Sequence, residues 1–129
     1  MSIFTHIVLD TNGLEHAREF YDRVLAPLGS KRIIDRGNAS MWGKDHPSLT
    51  VGTPINGEPA TCSNGLTIGL VAPSDSAVSE FHATPLANGG SSEGKPGRRD
   101  FLPNGCMAYM RDPDGNKTCA IYTEARPAD

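Results

Sequence analysis

IVLDTNGLEHAREFYDRVLAPLGS, residues 7–30, returns 61 residues later as IGLVAPSDSAVSEFHATPLANGGS, residues 68–91. The pairs Ile7/Ile68, Leu9/Leu70, Glu19/Glu80, Phe20/Phe81, Leu25/Leu86, Ala26/Ala87, Gly29/Gly90 and Ser30/Ser91 are identical, eight of 24 positions. Unrelated sequence of ordinary composition would match at roughly 6% of positions, one or two here. The matches fall on apolar strand residues, on one helix aromatic and on a glycine where that helix stops. A unit of this size cannot bury its apolar face alone. Two copies in one chain therefore imply paired modules, with a ligand site between the halves.

The elements can be read outward from the repeat. Ile3–Leu9 alternates, with Phe4, His6 and Val8 on one face, as a half-buried strand does. Asn12 reads as an N-cap with Glu15 three residues on. Leu14, Ala17, Tyr21, Val24, Leu25 and Leu28 then trace one apolar helical stripe, closed by Gly29. Lys31–Arg36, Ala39–Gly43 and Leu49–Thr53 read as three short strands. The Pro-, Gly- and Ser-rich residues 54–64 read as a linker between module one, about 1–53, and module two, about 65–123.

In the second copy, Leu66–Val71 repeats the first strand and Ser74–Asn88 the helix. Pro85, at the position of Val24, is expected to kink or shorten that helix. Ser91–Arg99 is polar and Gly-rich and reads as loop, with one strand weak or lost near Arg99–Leu102. Cys106–Arg111 and Asn116–Tyr122 read as strands joined by a type I turn over Asp112–Gly115.

At 129 residues the chain is long enough for one domain with one core, taken as 1–129. A net charge of −3 and a pI of about 5.7 lack the basic footprint of a nucleic-acid binder. No apolar run approaches the roughly 20 residues of a membrane span. The first residues lack the zones of a signal peptide. Cys62, Cys106 and Cys119 are odd in number and not spaced as a zinc knuckle, so a reduced, cytoplasmic protein is expected.

Taken together, Phe4–Leu9, Phe20-Tyr21, Leu25-Ala26-Pro27-Leu28-Gly29, Asn64-Gly65, Pro96-Gly97-Arg98 and Asp112-Pro113-Asp114-Gly115-Asn116-Lys117 resemble the vicinal oxygen chelate superfamily, the glyoxalase, bleomycin-resistance and extradiol dioxygenase group. The resemblance covers essentially the whole chain. It implies an α+β fold in which two repeated βαβββ modules form a curled mixed sheet around a central cleft.

The resemblance also implies a divalent metal (Zn, Fe, Mn or Ni) held by His or Glu on the first and last strands of each module. Carried across, the first-strand position is His6 and its repeat partner is Thr67. The last-strand position is Cys119, matched in module one near Thr50. One imidazole is a thin donor set and threonine a poor ligand for these metals, so no tightly bound metal is expected. His6 and Cys119 are the remaining candidate ligands. His6 reads first as a strand histidine satisfied by a hydrogen bond in the cleft. Cys119 reads first as a small buried apolar residue rather than a thiol activated by His6.

His6, Thr67, Gly69 and Cys119 are expected to line one ligand cleft, where glycine at 69 leaves room for an organic molecule. Arg98 and Arg99 are candidate anion contacts at its rim. Trp42, Tyr109 and Tyr122 are candidates for an aromatic wall. His16 reads as solvated, His46 as a turn residue and His82 as a packing residue. The expected function is a glyoxalase- or dioxygenase-like protein that binds or converts a small oxygen-rich molecule with an incomplete metal site. The alternative is a metal-free, drug-sequestering binder without catalysis. If catalytic, it would be a metal-dependent lyase or dioxygenase. Exposed sheets and cleft edges point to a homodimer.

Overall fold

The 61-residue repeat is a repeat of structure. The computed structural model describes residues 2–124. Module one runs β1 (Ile7–Asp10), α1 (Leu14–Leu25), a 3₁₀ turn (Ala26–Leu28), β2 (Lys31–Asp35), β3 (Ala39–Gly43) and β4 (Leu49–Gly52). Module two runs β5 (Ile68–Val71), α2 (Asp75–Ala87), β6 (Ser91–Arg99), β7 (Leu102–Arg111) and β8 (Lys117–Thr123). Each module folds into a four-stranded mixed sheet, in the order β1-β4-β3-β2 and β5-β8-β7-β6. In each, the first strand lies parallel to the last, and the other pairs are antiparallel. The fold is α+β, with no closed barrel.

The helices supply the buried faces. Ala17, Phe20, Tyr21, Val24 and Leu25 of α1, and Ala77, Val78, Phe81, His82 and Pro85 of α2, are buried. Phe20 and Phe81 join Leu9, Trp42, Val51, Ile68, Ala108, Met110 and Ala120 in one apolar cluster drawn from both modules. Tyr21 packs edge-on against Phe20 at 5.1 Å and tilts against Trp42 at 5.7 Å. A fully buried aromatic of this kind stabilises by about 1.5–3 kcal/mol.

A polar clasp joins the modules beside this core. Asp112 accepts from the Tyr21 hydroxyl at 2.5 Å, and from the Asn116 backbone and side-chain amides at 2.8 and 3.0 Å. Asp114 accepts from the Thr11 hydroxyl at 2.5 Å and the Asn12 amide at 2.9 Å. The turn closes through the Gly115 amide on the Asp112 carbonyl, with Gly115 at φ +92°. The turn expected from the sequence is therefore present, and it carries polar contacts between the halves.

Several local expectations are corrected. Ser91–Arg99 is not a loop but the nine-residue edge strand β6, paired with β7 through irregular register. No strand of module two is lost. An edge strand needs one partner only, so polar and glycine residues suffice when β7 supplies the ladder. Strands β1 and β5 are shorter than expected, which leaves His6 and Thr67 one residue ahead of them. β4 begins opposite Ile7, and the β5–β8 ladder begins with Ile68 against Thr118.

Asn12 is not the N-cap. Gly13 is, and the Asn12 side chain pairs instead with Ala60 of the linker. Helix α2 is capped by Ser74 and is 13 residues long against 12 for α1, so Pro85 does not shorten it. Pro85 falls in the last turn, where its carbonyl accepts from Asn88 and Gly90 and closes the helix. The glycine match also slips by one residue. Gly29 takes positive φ in module one, but Gly89, not Gly90, does so in module two.

Candidate functional site

Residues on the first strand of each module alternate between the core and the opposite face. Leu9 and Ile68 are buried in the shared core, whereas Val8 is 57% exposed and Val71 41%. Strand register carries that outer face across each sheet, because paired residues point the same way. In module one the row reads Val8, Thr50, Met41, Ile34. In module two it reads Gly69, Cys119, Tyr109, Gly94. Thr50 and Cys119 are thus equivalent, as are Val8 and Gly69.

Module two's row has room at Gly69 and is crowded at Gly94, with two cations beside it. A side chain begun at Gly69 would stand 3.7 Å from the Cys119 Sγ and 3.5 Å from Ile121, ordinary contacts with room beyond. At Gly94 a Cβ would come within 3.1 Å of both Arg99 and the Tyr109 ring. Two cations lie over that ring, Arg99 at 5.6 Å and Lys117 Nζ at 5.3 Å from its centroid. Burial raises the pKa of the Cys119 thiol, against a smaller opposing pull from Lys117. Burial also raises the Tyr109 phenol, with Cys119 adding to the effect.

The positions implied as metal ligands supply one imidazole, two hydroxyls and that thiol. His6 is exposed, and its Nδ1 lies 3.0 Å from the hydroxyl of its neighbour Thr5. Thr67 is exposed. The Thr50 hydroxyl is buried without a hydrogen-bond partner. Among the described residues no three His, Cys, Asp or Glu side chains gather into a set that could hold a metal ion. One imidazole, one thiol and two hydroxyls, with no carboxylate among them, are a poor donor set for zinc, iron, manganese or nickel, so these residues do not fit the implied metal.

His6 and Gly69 line one cavity of about 570 Å³, with Phe4, Leu28, Trp42 and His46 among its other walls. Cys119, the strand partner of Gly69, and Thr67 are not part of the lining. Of the aromatic candidates, Tyr109 alone is on the Cys119 face; Trp42 and Tyr122 pack with the shared core. The two arginines separate. Arg99 lies against Tyr109, whereas Arg98 lines a smaller cavity of about 380 Å³ with Asp75, Ser79 and Cys106. His82 is buried, with its Nε2 2.8 Å from the Ser92 hydroxyl, and burial then Lys95 lower its pKa, which suits packing rather than proton transfer.

Sequence spacing does not reveal the grouping of Lys117, Tyr109 and Gly94, because only the β6–β7–β8 register brings Tyr109 and Gly94 beside Cys119.

No protein-family model and no curated protein matches the chain. Solved structures do. A crystal structure of a glyoxalase/bleomycin resistance protein from Albidiferax ferrireducens T118 is 40% identical, with a TM-score of 0.86, over 98% of this chain and 100% of that one. A glyoxalase-related enzyme from Fulvimarina pelagi superposes with a TM-score of 0.78 at 15% identity, covering 100% of this chain and 94% of the other. A lactoylglutathione lyase from Agrobacterium tumefaciens does so at 0.65 and 20% identity, covering 95% and 94%. These last two bear on the fold alone.

Proposed function

The chain belongs to the glyoxalase/bleomycin resistance protein family, and from that premise we propose that it binds a small organic molecule without a resident metal. The observation that carries this reading is the donor set: His6, Thr50, Thr67 and Cys119 stand where the superfamily's ligands are implied, and among the described residues no three His, Cys, Asp or Glu side chains gather into a set that could hold a metal ion. Shape and apolar contact remain available. The cavity beside β1 and β5 is walled by Phe4, Leu28, Trp42 and Ile68, with His6 and His46 as polar points, the usual make-up of a small-molecule site.

The working unit is a homodimer. Strands β1 and β5 are edge strands of their sheets, and Phe4, Val8, Leu66 and Val71 on or beside them are exposed apolar side chains. A second copy would cover them. No helix among the described residues is long and apolar enough to cross a membrane, and the site is proposed to work in the cytoplasm.

Elemental analysis of protein purified without chelators, together with native mass spectrometry against a library of small oxygen-rich molecules, tests the reading. Compounds bound at one per chain with substoichiometric metal would support it. Near-stoichiometric zinc, iron, nickel or manganese, lost in His6→Ala, would replace it with the metal-dependent lyase or dioxygenase reading.

A further inference from the structure

We propose that the cavity between α2 and the strands of module two is a second ligand site, and that it takes a zwitterionic amino acid with an apolar side chain. Its volume is about 380 Å³, and it shares no lining residue with the cavity beside His6 and Gly69. The repeat explains why this space is open. The 61-residue shift aligns Ser79 of α2 with Arg18 of α1. In module one Arg18 crosses from the helix to the sheet, donating to the Ser40 hydroxyl at 2.7 Å and to the Arg36 carbonyl at 2.5 Å. It also pairs with Asp35 at 3.8 Å. Serine is too short for that crossing, and Ser79 lines the cavity instead. Cys106 and Tyr122, partners across β7 and β8, pack against the shared core and line the cavity as well, which gives it a partly apolar wall.

Charge selects the ligand. Arg98, Asp75 and Glu124 line this one cavity, yet none of the three forms an ion pair among the described residues. Opposite charges therefore face the same space without closing on each other. A guanidinium fork suits a carboxylate, and a carboxylate accepts well from an ammonium group. A purely anionic ligand would meet Asp75 and Glu124, and a purely cationic one would meet Arg98. An uncharged apolar ligand would strip water from all three and replace none of it. A molecule carrying both an ammonium and a carboxylate answers both signs. Cys106 and the Tyr122 ring are then left for its apolar side chain.

Titration of ¹⁵N-labelled protein with leucine, leucinamide (which lacks the carboxylate) and N-acetylleucine (which lacks the ammonium) tests the proposal. Leucine should shift the amides of Ser79, Gly97, Gly105 and Cys106 and leave that of Gly69 in place. Each analogue should bind about tenfold more weakly, the scale of one charge-assisted contact. Arg98→Met should weaken leucine by about tenfold and leave leucinamide unchanged. Ser79→Arg, at an exposed helix position, should abolish leucine binding with the circular dichroism spectrum unaltered. No shift of these four amides at millimolar leucine overturns the proposal. So does equal binding of all three compounds, or full binding in Ser79→Arg. The proposed function is read from other amides, those of His6 and Gly69, so either site can fail while the other stands.

Discussion

The two sheets share a topology and differ in what they show on their outer faces. Module one lays Val8, Thr50, Met41 and Ile34 across its sheet; module two lays Gly69, Cys119, Tyr109 and Gly94 across the equivalent strands. On the inner faces the copies agree, with Phe20 and Phe81 both buried in one shared core. The lesson is a division of labour. Packing holds the repeat together where the modules meet, and the opposite faces have diverged, one carrying Val8 and Ile34 where the other carries Gly69 and Gly94. One identical pair differs in setting: Leu25 is 3% exposed, while its match Leu86 is 49% exposed.

The most direct way to break this comparison is at the shared core. Phe20→Ala and Phe81→Ala should each cost about 3–5 kcal/mol, as large aromatic truncations in cores do. Both should lower a single cooperative urea transition followed by circular dichroism. Two separated transitions would mean that each module has a core of its own.

The polar clasp comes next. Asp112→Ala leaves the buried Tyr21 hydroxyl and the Asn116 amides without their acceptor, and should cost about 2–3 kcal/mol. Its pH dependence has a definite sign. Burial raises the Asp112 pKa in the folded state, against the pull of its hydrogen bonds. The folded protein therefore binds this proton more tightly than the unfolded chain. Asp112 contributes more stability as pH falls through its raised folded value and loses that contribution as pH rises. Urea midpoints of wild type and Asp112→Asn, measured from neutral pH down to the ordinary carboxylate range, should diverge in favour of wild type.

Smaller effects sharpen the contrast between faces. The Thr50 hydroxyl is buried without a partner, so Thr50→Val should raise stability by about 1 kcal/mol in the same assay. Gly69→Phe should change stability by less than about 1 kcal/mol, since a side chain there meets only ordinary contacts. It should nevertheless abolish small-molecule binding, which calorimetry with any compound found by the library screen would show.

The pairing of modules was legible because apolar periodicity and the repeated phenylalanine are local signals. So was the Asp112–Gly115 turn, whose residue types follow from the backbone it needs. Strand β6 was not legible, since Ser91–Arg99 has neither alternation nor β-branched residues and is a strand only because β7 pairs with it. The site was half legible. Gly69 and Cys119 are strand partners, and His6 shares a cavity with Gly69. The cation pair over Tyr109 depends on three strands whose register includes shifts between Ser92, Gly94, Gly97 and Arg99, and no spacing rule encodes those.

Between β4 and β5 the chain forms no helix or strand, and it is fastened by Asn12 to Ala60 and by the Asn64 carbonyl to Arg111. Ile55 is almost wholly exposed, and Gly57 has nothing around it. What unites the halves is the common core and the Asp112 clasp, neither of which runs through this segment. The covalent link is then a tether that sets local concentration. Residues 2–56 and 57–124, made as two peptides, should find each other and rebuild the native sheets, so the chain can be regarded as a heterodimer that happens to be synthesised in one piece.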